Sequence, residues 1–260
     1  NPRNPHVPPT RVTFGQSASA EMGDLWLQVT TADAASRAAL DRDYAPKMLR
    51  EDIAGAQKVL EANPTDPRAH ADLAFCYEEA GQGADALRHL RTATRLAPDS
   101  AGAHFDLGVA LLRQQALQEA KEELTTAVRL RPQLAEGYAN IGAITHLEGR
   151  PAEALEWYAR ARRLNAVDAQ TEYNAGRAHA ALGNHPAAID RYEVALRIAP
   201  GDPATLASLG GSLVAIGRTG EAVAAYRRAL ETRPDYAPAL VDLAWILATA
   251  QGASRNPAEA

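Results

Sequence analysis

PATLASLGGSLVAIGRTGEAVAAYRRALETRPDY, residues 203–236, is one complete period of a pattern that runs through most of the chain. Pro203 opens it and Pro234 stands near its end, with Gly210, Gly217, Ala222, Tyr226 and Ala229 between them. Moving outward in steps of 34 residues, Pro64, Pro98, Pro132, Pro200 and Pro234 form a ladder, with Ala166 where one rung is missing. Full units begin at Pro67, Ala101, Ala135, Ala169 and Pro203, and a sixth begins at Ala237.

The eighth place of each unit is small: Ala74, Gly108, Gly142, Gly176, Gly210 and Ala244. Alanine fills the twentieth place (Ala86, Ala120, Ala154, Ala188, Ala222) and the twenty-seventh (Ala93, Ala127, Ala161, Ala195, Ala229). Bulk sits at the twenty-fourth, in Leu90, Leu124, Tyr158, Tyr192 and Tyr226. Small columns facing large ones predict helices whose axes approach closely, so that added volume at Gly108 or Gly142 overpacks the core. Gly81, Gly149, Gly183 and Gly217 mark a left-handed turn inside four units. Asp66, Ser100, Asp168 and Asp202 stand where an N-cap is needed, and Pro67 and Pro203 follow in the first helical turn. Each unit therefore reads as helix, tight turn, helix.

Composition agrees with closely packed helices: 46% of the 260 residues are hydrophobic but only 5% are aromatic. A net charge of −5 argues against a nucleic-acid or anionic-membrane surface, and no apolar run is long enough to span a bilayer. The single cysteine, Cys76, excludes an internal disulfide framework and a Cys-cluster zinc site, and its place in LAFCY predicts a buried, inert thiol. No phosphate loop, nucleophile elbow, Cys-His pair or His-Glu-x-x-His spacing occurs. His70 and His104 are one period apart, so their recurrence reads as architecture. No catalytic residue, metal site or cofactor is expected within residues 67–260.

The 34-residue period, with its small, aromatic and proline positions, resembles the tetratricopeptide repeat family from Pro67 to about Ala250. The resemblance implies an all-α solenoid, a right-handed superhelix of helix-turn-helix units, with the first helix of each unit lining a concave groove. On this chain the groove positions include Phe75 in the first unit and Phe105 and Asp106 in the second. Asn140 and His146 follow in the third, Tyr173, Asn174 and Arg177 in the fourth, and Trp245 in the sixth. Lysine is absent from these positions and aspartate recurs, which speaks against a clamp for a C-terminal carboxylate. A peptide or helix with apolar anchors is the expected ligand. His70, His104 and Glu172 depart from the large apolar residue favoured at the fourth place and are expected to weaken packing locally.

The two ends read differently. Residues 1–31 hold a Pro-rich extended run and the strand-like pieces RVTF and LWLQV, in which Leu25, Leu27 and Val29 alternate with Trp26. A lone hairpin is marginal in water, so these residues are expected to pair with another sheet or another copy. NPRNPHVPPTRVTFGQSASAEMGDLWLQV resembles the last strands of a copper type II, ascorbate-dependent monooxygenase domain. That likeness implies Met22 as a copper ligand only if upstream His ligands exist, and it implies a setting outside the cytoplasm. Residues 32–66 read as a pair of degenerate capping helices, a shorter run near Ala34 to Asp43 and the amphipathic KMLREDIAGAQKVLEANP ending at Pro64. Repeats are expected at 67–100, 101–134, 135–168, 169–202 and 203–236. A partial sixth, at 237–260, is expected to have an elongated turn before its second helix begins. Starting at Asn rather than Met, the chain reads as a trimmed piece of something longer.

Together these features predict a non-enzymatic scaffold for protein or peptide partners, or for self-assembly through its two unfinished ends into a head-to-tail filament. The alternative is the C-terminal part of a secreted copper monooxygenase-like enzyme whose repeats recruit partners.

Overall fold

The computed structural model describes residues 34–164 and 168–255, and among them the only regular structure is helical. The hairpin-like segment, with Met22 and the strand residues Leu25, Trp26, Leu27 and Val29, lies outside the described residues, as does Ala166. The chain falls into two compact units, Asn1–Pro98 and Asp99–Ala260.

The first unit holds α1 (Ala34–Ala62), α2 (Pro67–Glu79) and α3 (Gly83–Leu96), with α2 packed on both neighbours. In place of the expected pair of capping helices there is a single helix, α1, with Pro46 inside it. Proline removes one backbone donor and crowds the preceding turn, yet helix-forming sequence on both sides carries the helix through. One turn further on, Arg50 Nε donates to the Pro46 carbonyl at 3.1 Å.

The second unit contains four helical hairpins and a final helix. These are α4 (Ala101–Arg113) with α5 (Leu117–Leu130), α6 (Ala135–Leu147) with α7 (Pro151–Arg163), α8 (Ala169–Ala181) with α9 (His185–Ile198) and α10 (Pro203–Ala215) with α11 (Thr219–Thr232). The last is α12 (Ala237–Arg255), packed on α11. Asp66, Ser100, Asp168 and Asp202 accept backbone N–H bonds from the first turns of α2, α4, α8 and α10. The turn glycines have the expected left-handed backbone, with φ between 71° and 78°. Gln115 takes the same place between α4 and α5 with φ 61°, a conformation that costs a residue with a Cβ roughly 1–2 kcal/mol.

The expected elongated turn before a second helix is absent, because α12 continues to Arg255. Between Ala248 and Arg255 the only helix breaker is Gly252, and one interior glycine costs just about 1 kcal/mol. Ala239 and Ile246 bury against the preceding hairpin, while Val241 and Trp245 remain 66% and 63% exposed.

The core depends on the contact between the eighth and twenty-fourth places. A Cβ added to Gly176 would lie 2.5 Å from the Tyr192 ring, and one added to Gly142 or Gly210 would lie 2.7 Å from Tyr158 or Tyr226. At Gly108 the obstacle is Leu124, at 2.6 Å. Those three tyrosines and Leu124 are almost wholly buried.

The departures at the fourth place do not leave packing defects. Each side chain there meets the residue 19 positions later, on the second helix of its own hairpin. His70 meets His89, with their Nδ1 atoms 2.9 Å apart, and His104 Nδ1 meets Glu123 Oε2 at 2.5 Å. Tyr138 stacks on Trp157 with centroids 6.1 Å apart, and the Arg160 guanidinium lies over both rings. Glu172, fully buried, accepts from Arg191 Nη1 at 3.1 Å and lies 2.8 Å from Arg162 Nε, an ion pair out of line for a hydrogen bond. In the next hairpin the same places are apolar, Leu206 and Ala225, and both are buried.

Two predictions follow from these contacts. Gly176→Ala should lose about 1–3 kcal/mol in urea unfolding through overpacking. Adding Tyr192→Leu should restore part of that loss, since Ala74 sits opposite Leu90 in the first unit; strict additivity would disprove the contact. The second concerns Glu172. Removing both Arg162 and Arg191 should cost about 3–5 kcal/mol, because a buried carboxylate is left unpaired. Converting Glu172 and Arg191 together to Leu and Ala, the pair at 206 and 225, should be neutral or stabilising in the same measurement.

Candidate functional site

In the second unit, consecutive first helices touch one another: α4 with α6, α6 with α8, α8 with α10 and α10 with α12. The second helices α5, α7, α9 and α11 make no comparable contacts with each other. The first helices therefore line the inner side of the bend, where groove side chains are expected. Phe105, Asn140, Tyr173 and Asn174 are half-buried, whereas Asp106, Arg177 and Trp245 are exposed. Phe75, on α2 of the first unit, is 66% exposed.

The structure gathers these residues most closely around α8. Arg177 lies over the Tyr173 ring, 5.8 Å from its centroid, and Tyr173 in turn tilts against Tyr192 at 6.1 Å. Such a guanidinium-ring contact at an exposed site is worth roughly 0.5–1 kcal/mol and holds the side chain over α8. Among the described residues no carboxylate pairs with Arg177. Asn174, one turn from Gln170, accepts its side-chain amide at 3.1 Å.

Two further residues join the cluster: His146, one of the expected groove positions, and Tyr158, which sequence reasoning placed elsewhere. Tyr158 was expected only as core, and its ring does fill the space above Gly142. Its hydroxyl, however, is buried without a hydrogen-bond partner, and so is Nδ1 of His146. Burial pushes the Tyr158 hydroxyl pKa up, and the Arg177 charge opposes that shift. Burial lowers the His146 pKa, and Arg177 lowers it further. A signal for Tyr158 was available in the column itself, since Tyr158, Tyr192 and Tyr226 carry a hydroxyl where Leu90 and Leu124 carry none. In the later repeats that hydroxyl meets the sixth place of the following unit. Ser208 hydrogen-bonds Tyr192, whose pKa is pushed up to about 12 mainly by burial, and Asp242 accepts from Tyr226. For Tyr158 the corresponding residue is Asn174, whose side-chain oxygen accepts from Gln170 and not from the phenol.

Other titratable groups give no reactive centre among the described residues. No group of three or more His, Cys, Asp or Glu is arranged to hold a metal. Cys76 is half-buried on α2, and burial followed by the charges of Asp52 and Asp72 raises its thiol pKa, away from the thiolate.

Family models described as tetratricopeptide repeat match residues 50–95, 77–135, 133–201 and 208–259. The chain belongs to the tetratricopeptide repeat family. Among solved structures, YrrB, described as a tetratricopeptide protein with an unusual peptide-binding site, is 21% identical with a TM-score of 0.57, covering 72% of this chain and 96% of its own. The MamA protein is 26% identical with a TM-score of 0.56, covering 66% and 93% respectively. The Pseudomonas aeruginosa pilF protein is 19% identical with a TM-score of 0.68, covering 79% and 94%. No curated protein matches the chain in sequence. Likenesses at this level establish the fold of the repeats. No described helix is long and apolar enough to cross a membrane.

The cluster around Arg177 sets a pH dependence. A histidine held neutral by burial has a folded pKa below 6.5, so the unfolded chain binds the proton first as pH falls. His146, and His179 for the same reason, therefore contribute stability that is present above the unfolded pKa and lost as pH falls through the folded pKa. In NMR titration the His146 ring should titrate below 6.5. Arg177→Ala should raise its midpoint only part of the way, because burial is the larger cause. An unchanged midpoint in the variant would place Arg177 away from His146.

Proposed function

We propose that the chain is a non-enzymatic interaction scaffold whose second unit receives an extended peptide along the inner face of its first helices. A carboxylate side chain of the peptide pairs with Arg177, and apolar side chains contact Phe105, Tyr173 and Trp245. The observation that carries this reading is Arg177 itself: exposed, held over Tyr173 and without a carboxylate partner among the described residues. Beside it the Tyr158 hydroxyl and His146 Nδ1 lack partners although they are buried. A peptide carboxylate offers acceptors to the guanidinium and the phenol together, which favours an acidic anchor over a purely apolar one. Asn140 and Asn174 lie along the same inner row and can serve the peptide backbone. YrrB's peptide-binding site is a property of that protein; it makes a groove reading more plausible for a shared fold, while the choice of anchor rests on this chain's own residues.

A second reading is favoured by α12, which leaves Leu240, Val241, Trp245 and Leu247 exposed. These residues suit a head-to-tail contact with another copy.

Selection from a random peptide library against the purified chain tests the first reading. Enriched peptides should carry Asp or Glu next to an apolar residue, and their binding should weaken with added salt. Arg177→Ala should abolish the acidic preference, and Tyr173→Ala should weaken binding overall. Enrichment of basic peptides, or of the same acidic peptides by Arg177→Ala, would refute it. Sedimentation of the unliganded chain separates the second reading: concentration-dependent assembly lost in Trp245→Asp supports it, and a monomer at all concentrations rejects it.

A further inference from the structure

A cavity of about 260 Å³ lies between α7, α8 and α9, on the side of α8 turned away from Arg177. Ala175 and His179, one turn apart on α8, form one wall; Arg177 stands two residues from each, about 200° around the helix. Leu155, Tyr158 and Ala159 of α7 and Ala187 of α9 form the others.

The cavity falls where this level departs from the columns of the other repeats. The seventh place is Leu73, Leu107, Ile141, Leu209 and Leu243 elsewhere, and Ala175 here. The nineteenth is acidic in Asp85, Glu119, Glu153 and Glu221, but Ala187 here. The twenty-fifth is Arg91, Thr125, Glu193 and Arg227, but Ala159 here. Side chains on three different helices are thus shortened around one space. At the next level Leu209, Leu213 and Leu196 hold the places of Ala175, His179 and Arg162, and all three are buried. What leucine fills there is open here.

Charged groups complete the lining. Arg162 Nε and Arg191 Nη1 lie 2.8 Å and 3.1 Å from the Glu172 carboxylate, so two guanidinium charges share one carboxylate. Each guanidinium carries five N–H donors, and most of them are left over from that contact. Asp190 also lines the cavity, is exposed on α9 and pairs with no cation among the described residues. Burial, and then the Arg191 charge, lower the His179 pKa, so at pH 7.5 its ring is neutral and leaves this balance unaltered.

The lining therefore offers a surplus positive charge and an unpaired negative one beside an apolar wall. A simple carboxylate meets repulsion from Asp190, and a simple amine meets repulsion from the guanidinium groups; a zwitterion satisfies both. The volume lies below the roughly 300–1,000 Å³ typical of drug-sized ligands and suits a molecule the size of one residue. We propose that this cavity binds a free α-amino acid with an apolar side chain. Its carboxylate takes the spare donors of Arg162 and Arg191, its ammonium pairs with Asp190, and its side chain packs on Ala159, Ala175 and Ala187.

Calorimetric titration of the whole chain at pH 7.5 with L-leucine, L-valine, L-methionine and L-phenylalanine tests the site. At least one of them should bind saturably at one equivalent. It should bind at least about tenfold more tightly than its amide, which lacks the carboxylate, or its deaminated acid, which lacks the ammonium. Ala175→Leu should abolish binding while keeping or raising the melting temperature, since four other units carry leucine at that place. Asp190→Asn should weaken the amino acid at least about tenfold without weakening the deaminated acid. Arg177→Ala should leave the affinity unchanged, which separates this site from the peptide groove. Saturable binding by none of the four overturns the proposal, as does binding that survives Ala175→Leu, is unaffected by Asp190→Asn or is lost in Arg177→Ala. An amide or deaminated acid that matches the amino acid overturns it equally.

Discussion

A tyrosine ring laid on a glycine sets the geometry from which the rest of each later repeat follows. At Gly142, Gly176 and Gly210 there is no room for even a Cβ, because ring atoms of Tyr158, Tyr192 and Tyr226 already lie within 2.5–2.9 Å of where it would stand. The contact fixes how near the two helices of a hairpin come, and it recurs at the same level each time. A left-handed residue must then close a short turn: glycine in four places and Gln115 in the fifth. With hairpins of one shape, successive first helices meet and form the inner row on which any groove depends.

Because that contact fixes the separation, the rung beside it can change chemistry without changing shape. Between the fourth and twenty-third places the chain uses two histidines, a histidine with a carboxylate, stacked aromatics, a carboxylate with arginines, and an apolar pair. The polar rungs pair their side chains locally, but Trp157 Nε1 and Glu172 Oε1 are buried without a hydrogen bond, a deficit that costs about 1–3 kcal/mol for each such group. Glu172 is the extreme case: wholly buried, it draws one arginine from its own hairpin and one from the preceding helix. Such ion pairs are poor sources of stability compared with apolar packing, but they penalise any register other than the one that pairs them.

This arrangement explains what could be read from the sequence and what could not. Period, caps and turn glycines are local signals, and the helices begin where Pro67, Ala101, Ala135, Ala169, Pro203 and Ala237 suggested. The rungs were invisible because the partners are 19 residues apart and complementary in chemistry rather than alike; His70 or Glu172 taken alone reads as a defect. Pro46 and the stretch after Ala248 misled for the opposite reason. A breaker or a lengthened spacing was given more weight than the helix propensity on either side of it. Around the candidate groove, the placing of Tyr173 and Arg177 on one first helix follows from repeat position. The unpartnered hydroxyl of Tyr158 does not, since its ring reads only as core.

That hydroxyl bears on why the inner face offers binding where it does. The Tyr158 ring is trapped over Gly142, so its hydroxyl cannot swing out to water without breaking the hairpin contact. Two repeats resolve the same problem internally, through Ser208 and Asp242, but Asn174 bonds Gln170 and Tyr158 is left unsatisfied. A guanidinium only donates, so Arg177 offers no acceptor for the Tyr158 O–H, and that acceptor must come from elsewhere. A ligand carboxylate at this point adds hydrogen bonds without breaking any that the hairpins already make. On the proposed reading, binding strength is therefore concentrated at a level of the inner row where repeated backbone geometry meets an incomplete side-chain network.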